Sequence, residues 1–115
     1  ELKEYVEYRV ENKNIRQTYY SLPIRIKWNK INIDIQYFVK AMSKEGIPVG
    51  RINTPMYRYN VFNGKCIVPY NGNICINAEK AFNEWITLPI TPILFKEDLD
   101  DIVYALKKIL NWFKK

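Results

Sequence analysis

The chain has 115 residues, of which 48% are hydrophobic and 26% are charged, so it has the composition of one globular domain and not of a disordered chain. Its net charge of +6 permits an anionic partner, but no block of five basic residues occurs, and most of this charge is interpreted as solvated surface. The absence of histidine, with Cys66 and Cys75 at no zinc-like spacing, excludes His-dependent nucleophile pairs and predicts no metal site.

The ends of the sequence bear on its compartment. No apolar run approaches the ~20 residues that cross a bilayer, and no signal segment opens the chain, so we expect a cytoplasmic protein with no membrane partner. The first residue is not Met, which indicates a piece of a longer protein.

Taken in chain order, the first half predicts two strands and a helix. Residues 5–11 alternate loosely, and residues 17–28 alternate more clearly. Pro23 within the second run predicts an edge strand or a bulge. A helix follows, with Asn32 as its expected N-cap and Gly46 as its end. The apolar residues of the second run share one face: Leu22, Ile24, Ile26 and Trp28.

The second half predicts two strands and two helices. Residues 47–51 and 86–90 are expected strands, and residues 77–85 an expected helix that Asn77 caps. Residues 96–113 predict a long amphipathic helix with acidic residues in its first turns. Its apolar stripe is Leu99, Ile102, Val103, Leu106, Ile109, Leu110 and Phe113. The order of elements predicts an α/β chain of the two-layer α+β sandwich type, with a small mixed or antiparallel sheet covered by helices.

One segment is too aromatic for a solvent loop and too rich in Pro and Gly for a helix. This 46–62 loop reads GIPVGRINTPMYRYNVF. Its two prolines stiffen the backbone, so side chains are presented with little entropy left to lose. Arg51 and Arg58 suit carboxylates or phosphates, while Tyr57 and Asn53 suit a sugar ring and its hydroxyls.

The order of motifs in this chain resembles the C-terminal small domain of DegT/DnrJ/StrS-type sugar aminotransferases, which have the aspartate-aminotransferase fold. The matching stretches are YYSLPIRI at 19–26, GIPVGR at 46–51, TPMYRYNVF at 54–62, CINAEKAFNEWITLP at 75–89 and EDLDDIVYALKKIL at 97–110. The sequence departs from the family pattern at Met56, Ile76 and Phe95. Residues 17–115 are therefore interpreted as the small domain, and residues 1–16 as a strand or linker that leads from a missing large domain.

The resemblance implies a function for the intact protein. Such enzymes use pyridoxal phosphate (PLP), held mainly by the large domain together with the Schiff-base lysine, so we expect no catalytic residue in this chain and no activity from it alone. The implied reaction transfers an amino group from glutamate or glutamine to a keto-sugar or keto-cyclitol, in a homodimer. The 46–62 loop would bind substrate through Arg51, Asn53, Tyr57 and Arg58.

Simpler interpretations of these residues stay open at this point. Tyr57 is equally suited to packing under the loop, and Arg58 to a surface ion pair. Arg25 is interpreted as structural, and Glu79 as a stabiliser of the first turn of its own helix.

An alternative function is a stand-alone basic module that binds single-stranded nucleic acid. Its stacking platform would be formed by tyrosines: Tyr19, Tyr20, Tyr57 and Tyr59. The chain has no RNP-like run and no GXXG loop, so nucleic acid is the less favoured partner.

Overall fold

The computed structural model describes residues 2–10, 12–62 and 75–115, in which a four-stranded sheet is covered by helices. The strands lie in the spatial order β1-β2-β4-β3, and each neighbouring pair is antiparallel. The strands are β1 (Val6–Tyr8), β2 (Leu22–Ile26), β3 (Gly50–Arg51) and β4 (Trp85–Leu88). The predicted two-layer α/β class is confirmed, and the sheet of the described residues is antiparallel, not mixed.

Four α-helices and three single-turn 3-10 helices complete the described part of the chain. The α-helices are α1 (Leu2–Tyr5), α2 (Ile35–Lys44), α3 (Ile76–Glu84) and α4 (Lys96–Phe113). The 3-10 helices are Trp28–Lys30, Met56–Arg58 and Asn60–Phe62.

The core lies between one face of the sheet and helices α2 and α4. Strand β2 alternates, so Ile24 and Ile26 are buried against the helices while Arg25 points to the opposite face. Phe38 of α2 is fully buried and meets Trp28 edge to face, with ring centroids 5.7 Å apart. Helix α4 buries Ile102, Ala105, Leu106, Ile109 and Leu110.

The predicted stripe of α4 is wrong at two positions, although the bounds of the helix agree. Leu99 and Val103 are exposed, because the sheet and α2 cover a narrower arc of α4 than its apolar residues span. Asp98 in the first turn accepts a hydrogen bond from the backbone N–H of Phe95 at 2.8 Å. This carboxylate satisfies the backbone N–H of the N-cap residue itself, one of the donors that a helix start leaves without an intrahelical partner.

Pro23 lies in an interior strand, which corrects the prediction of an edge strand or a bulge. Strand β2 lies between β1 and β4. The β1 pairing ends at the Tyr8–Ile24 pair, so Pro23 is paired only with Thr87 of β4. Because one side of Pro23 faces no strand, its missing N–H leaves no unpaired ladder position.

Both predicted helix caps are wrong, whereas the predicted helix end is confirmed. Helix α2 is capped by Asp34 and not Asn32: the Asp34 Oδ1 accepts from the N–H groups of Gln36 at 2.8 Å and Tyr37 at 2.9 Å. Helix α3 starts at Ile76, one residue before the expected cap Asn77. Gly46 has a φ of +84° just after α2, a conformation that glycine adopts without steric cost.

The strand expected at 47–51 shortens to the two residues that pair with β4. Gly50 lies opposite Thr87, and a Cβ atom at Gly50 would lie 2.8 Å from the Thr87 Oγ1. Glycine at position 50 therefore lets β3 approach β4 closely. This contact places the backbone of the neighbouring residue, Arg51, at the edge of the sheet.

Candidate functional site

The candidate site joins the 46–62 loop to helix α3. Glu79 and Phe82 are three residues apart in α3, so they lie on one face of the helix, and both contact the loop. The loop forms a 3-10 turn there, in which the backbone N–H of Arg58 donates to the Pro55 carbonyl at 2.9 Å. We call Arg51, Tyr57, Arg58, Glu79 and Phe82 the loop cluster.

The Glu79 carboxylate binds two adjacent side chains of the loop. The Tyr57 hydroxyl donates to Glu79 Oε1 at 2.7 Å, and Arg58 Nε donates to the same oxygen at 3.1 Å. Arg58 Nη2 pairs with the other oxygen, Oε2. The interpretation of Glu79 as a stabiliser of its own helix alone is therefore incomplete, since its side chain, 14% exposed, also ties the loop to α3.

Phe82 brings the two arginines of the loop together. The guanidinium carbon of Arg51 lies 4.1 Å from the ring centroid of Phe82, and that of Arg58 lies 5.2 Å away. Arg51 Nη2 also donates to the Phe82 carbonyl at 2.9 Å. The Nε of Arg51 is buried and finds no hydrogen-bond partner within the described ranges.

The loop cluster has an excess of positive charge. It contains two guanidinium groups and one carboxylate, that of Glu79, which pairs with Arg58. Arg51 forms no ion pair with any described carboxylate. A guanidinium with only neutral contacts attracts anions, and its planar fork matches a carboxylate or a phosphate.

Three of the four predicted binding residues meet in this cluster: Arg51, Tyr57 and Arg58. Asn53 is exposed and forms no side-chain hydrogen bond with the described residues. Sequence analysis missed Phe82 and the loop contacts of Glu79. The spacing of Glu79 and Phe82 on a short helix is the only signal in the sequence, and it does not say which segment the helix faces.

A second charged cluster lies on the open face of the sheet. Arg25 Nε donates to Glu84 Oε2 at 2.6 Å, and Arg25 Nη1 donates to Glu7 Oε2 at 2.9 Å. Lys27 Nζ lies 3.7 Å from Glu7. We call Glu7, Arg25, Lys27 and Glu84 the sheet cluster.

The sheet cluster is electrostatically balanced, and its ionisations are coupled. The hydrogen bond to Glu84, with that to Glu7, raises the pKa of Arg25, and the bond from Arg25 lowers the pKa of Glu7. With both its carboxylate partners engaged, Arg25 has the contacts expected of a structural residue.

The tyrosines expected as a stacking platform differ in their surroundings. Tyr20 is 98% exposed, whereas the hydroxyl of Tyr57 is bound to Glu79. Tyr57 is half-buried and held against α3, so it does not offer the open ring face that stacking on bases requires. Within the described ranges, no helix is long and apolar enough to cross a membrane.

Comparison with known proteins adds two findings. The sequence model of the DegT/DnrJ/EryC1/StrS aminotransferase family matches residues 1–107. The chain is also 24% identical over 99 residues to Uncharacterized protein MJ1066 of Methanocaldococcus jannaschii. That match covers 86% of this chain but 25% of the relative, so the chain spans about a quarter of the relative's length. The family match agrees with the resemblance expected from the sequence motifs.

Proposed function

Because this chain belongs to the DegT/DnrJ/EryC1/StrS aminotransferase family, we propose that it is the C-terminal small domain of a PLP-dependent enzyme that aminates a keto-sugar or keto-cyclitol. The amino donor is glutamate or glutamine. The loop cluster contributes the substrate contacts of this domain, and the sheet cluster stabilises its fold.

The observation that carries the proposal is the guanidinium of Arg51, which pairs with no described carboxylate and lies beside a loop that contacts helix α3. Both donor amino acids carry an α-carboxylate, and nucleotide-linked or phosphorylated sugars carry phosphate. Arg51 meets such an anion with two parallel hydrogen bonds, and its contact with Phe82 orients the fork. Exposed Asn53 supplies an amide that reads sugar hydroxyls.

In this proposal the described residues form no PLP site by themselves. No charged side chain among them is buried, so none of their lysines lies in the enclosed pocket that a Schiff base requires. Lys27, Lys30 and Lys108 instead form solvent-accessible ion pairs with Glu7, Glu4 and Glu45. When bound, PLP supplies the electron sink for amino transfer, and we assign its binding to a large domain outside this chain.

The remaining parts of the proposal concern the whole protein. A large domain precedes residues 17–115, residues 1–16 connect the two, and the enzyme is a cytoplasmic homodimer. Strand β1 lies within residues 1–16 and pairs with β2, so this connection adds an outer strand to the small-domain sheet.

The proposal is tested on the native protein by its cofactor absorbance and its reaction with L-glutamate or L-glutamine. We expect PLP absorbance that changes when the donor is added. Arg51→Ala should raise the apparent Kd for the donor about 10- to 100-fold, since hydrogen bonds to a charged group contribute about 1.5–3 kcal/mol. The PLP absorbance of the variant should stay intact.

Arg9→Ala is the matched control, because Arg9 is exposed and lies outside both clusters. It removes the same charge and should change the Kd less than twofold. A native protein without PLP would refute the proposed enzyme, and an unchanged Kd in Arg51→Ala would refute the role of the loop cluster.

A further inference from the structure

A single carboxylate on α3 receives two neighbouring side chains of the loop. Successive residues of a 3-10 helix point about 120° apart, so Tyr57 and Arg58 would otherwise diverge. Both nevertheless end on Glu79, at 2.7 Å from the Tyr57 hydroxyl and 3.1 Å from Arg58 Nε. One acceptor that binds both side chains restricts the rotation of the turn relative to α3.

Glu79 is suited to be the fixed member of this contact. It belongs to a nine-residue helix, whereas its partners belong to a turn of three residues. Its side chain is 14% exposed and that of Arg58 is 32% exposed, so the pair is partly shielded from water. A shielded carboxylate is costly unless its charge is paired, and Arg58 supplies that charge.

The same contact divides the roles of the two loop arginines. The charge of Arg58 is engaged by Glu79, while Arg51 contacts the neutral ring and carbonyl of Phe82. Without Glu79, two adjacent guanidinium groups would compete for one anion, and the turn that separates them would lose its anchor.

We infer that Glu79 is the positioning residue of the loop: it holds Tyr57 and Arg58 against α3 and, by engaging Arg58, makes Arg51 the guanidinium that meets the substrate anion. This inference rests on the proposed function. Glu79 itself touches no reacting atom and acts through its two loop partners.

The first measurement is the apparent Kd of the native protein for its amino donor. Binding is monitored through the change in cofactor absorbance when L-glutamate is added, or L-glutamine where L-glutamate gives no reaction. Glu79→Gln should raise the apparent Kd at least tenfold while changing the rate at saturation less than threefold. Glu84→Gln is the matched control, because it neutralises the other paired carboxylate of α3 without touching the loop. It should change the Kd less than twofold.

A double-mutant design separates positioning from general destabilisation. If Glu79 acts through Tyr57 and Arg58, then Glu79→Gln should change the Kd less than twofold in a Tyr57→Phe/Arg58→Ala background. An equal rise in both backgrounds, or no rise in either, overturns the inference.

The second measurement is amide hydrogen exchange of the same proteins, which needs no activity. The N–H groups of Arg58 and Tyr59 bond to the carbonyls of Pro55 and Met56 within the turn. Their exchange should be at least tenfold faster in Glu79→Gln and unchanged in Glu84→Gln. Unchanged exchange in Glu79→Gln overturns the inference. If the native protein binds no PLP, the proposed function fails, and this measurement alone decides whether Glu79 positions the loop.

Discussion

Two arginine–glutamate clusters meet the same helix, and they differ in their balance of charge. Near the start of α3, Glu79 pairs with Arg58, while the second guanidinium of the loop cluster, that of Arg51, lies on Phe82. At the end of α3, Glu84 shares Arg25 with Glu7, and Lys27 completes a sheet cluster of two cations and two anions. The comparison teaches that the pairing of an arginine, more than its presence, indicates its task.

A balanced cluster is already satisfied and has no charge left for a ligand. Arg25 is 39% exposed, yet both of its carboxylate partners lie within hydrogen-bond distance. Arg51 has no such partner among the described carboxylates, so the loop cluster retains one positive charge. We therefore expect ligands at the loop cluster and structural effects at the sheet cluster.

The largest expected effect comes from the close contact between strands β3 and β4. Gly50→Ala places a Cβ atom 2.8 Å from Thr87 Oγ1, and such overpacking costs about 1–3 kcal/mol. Denaturant unfolding measures the loss. In a Thr87→Ala background the oxygen is gone, so the same substitution should cost less than half as much. Equal losses in both backgrounds would show that this contact does not require glycine at position 50.

A smaller effect is expected from the ring that holds the two arginines. Phe82→Leu keeps an apolar side chain but removes the face on which Arg51 and Arg58 lie, which costs about 0.5–2 kcal/mol. The free energy of unfolding checks this value. Phe95→Leu is the control, because Phe95 is exposed, and it should leave the free energy of unfolding unchanged. Equal effects of the two substitutions would argue against a stabilising ring contact.

The smallest effect is a pH dependence of the sheet cluster. The hydrogen bond from Arg25 lowers the pKa of Glu7, so the unfolded chain binds the proton more tightly than the folded one. The stability that this lowered pKa contributes is present above the ordinary glutamate pKa of 4.5. It is lost as the pH falls below that value.

Unfolding curves between pH 7 and pH 3 measure this dependence. Glu7→Gln should make the loss of stability at low pH smaller. The control is Asp101→Asn, which removes an exposed carboxylate of α4 beyond its first turn and should leave the pH dependence unchanged. If the free energy of unfolding falls equally at low pH in the wild type and in Glu7→Gln, then the pair of Glu7 and Arg25 contributes nothing to this pH dependence.

The fold was predictable where the apolar residues of a long segment recur with a single periodicity and bury one face. Helix α4 is such a segment, and its bounds agree with its stripe. Pro23 misled because its tolerance depends on where the neighbouring strand β1 ends, which the local sequence does not contain. The caps failed for a related reason. Asn32 and Asp34 are both capable caps of α2, and the backbone geometry selects Asp34, whereas α3 begins after Cys75, whose side chain makes no cap hydrogen bond.

The candidate site was predictable in its residue types but not in its pairing. Arg51, Tyr57 and Arg58 suggested a binding loop because of their chemistry. Tyr57 and Arg58 both contact Glu79, which lies more than twenty residues away in the sequence, and no local pattern in the sequence identifies such a distant contact. Whether an arginine is paired or available therefore required the three-dimensional arrangement.

The most direct test of the contrast between the clusters is hydrogen exchange of the native protein with and without L-glutamate. The loop amides of Arg58, Tyr59 and Phe62 should exchange more slowly when the donor is bound, while those of strand β2 should not change. Slower exchange confined to β2, or no change in the loop, would contradict the assignment of the loop cluster to the substrate.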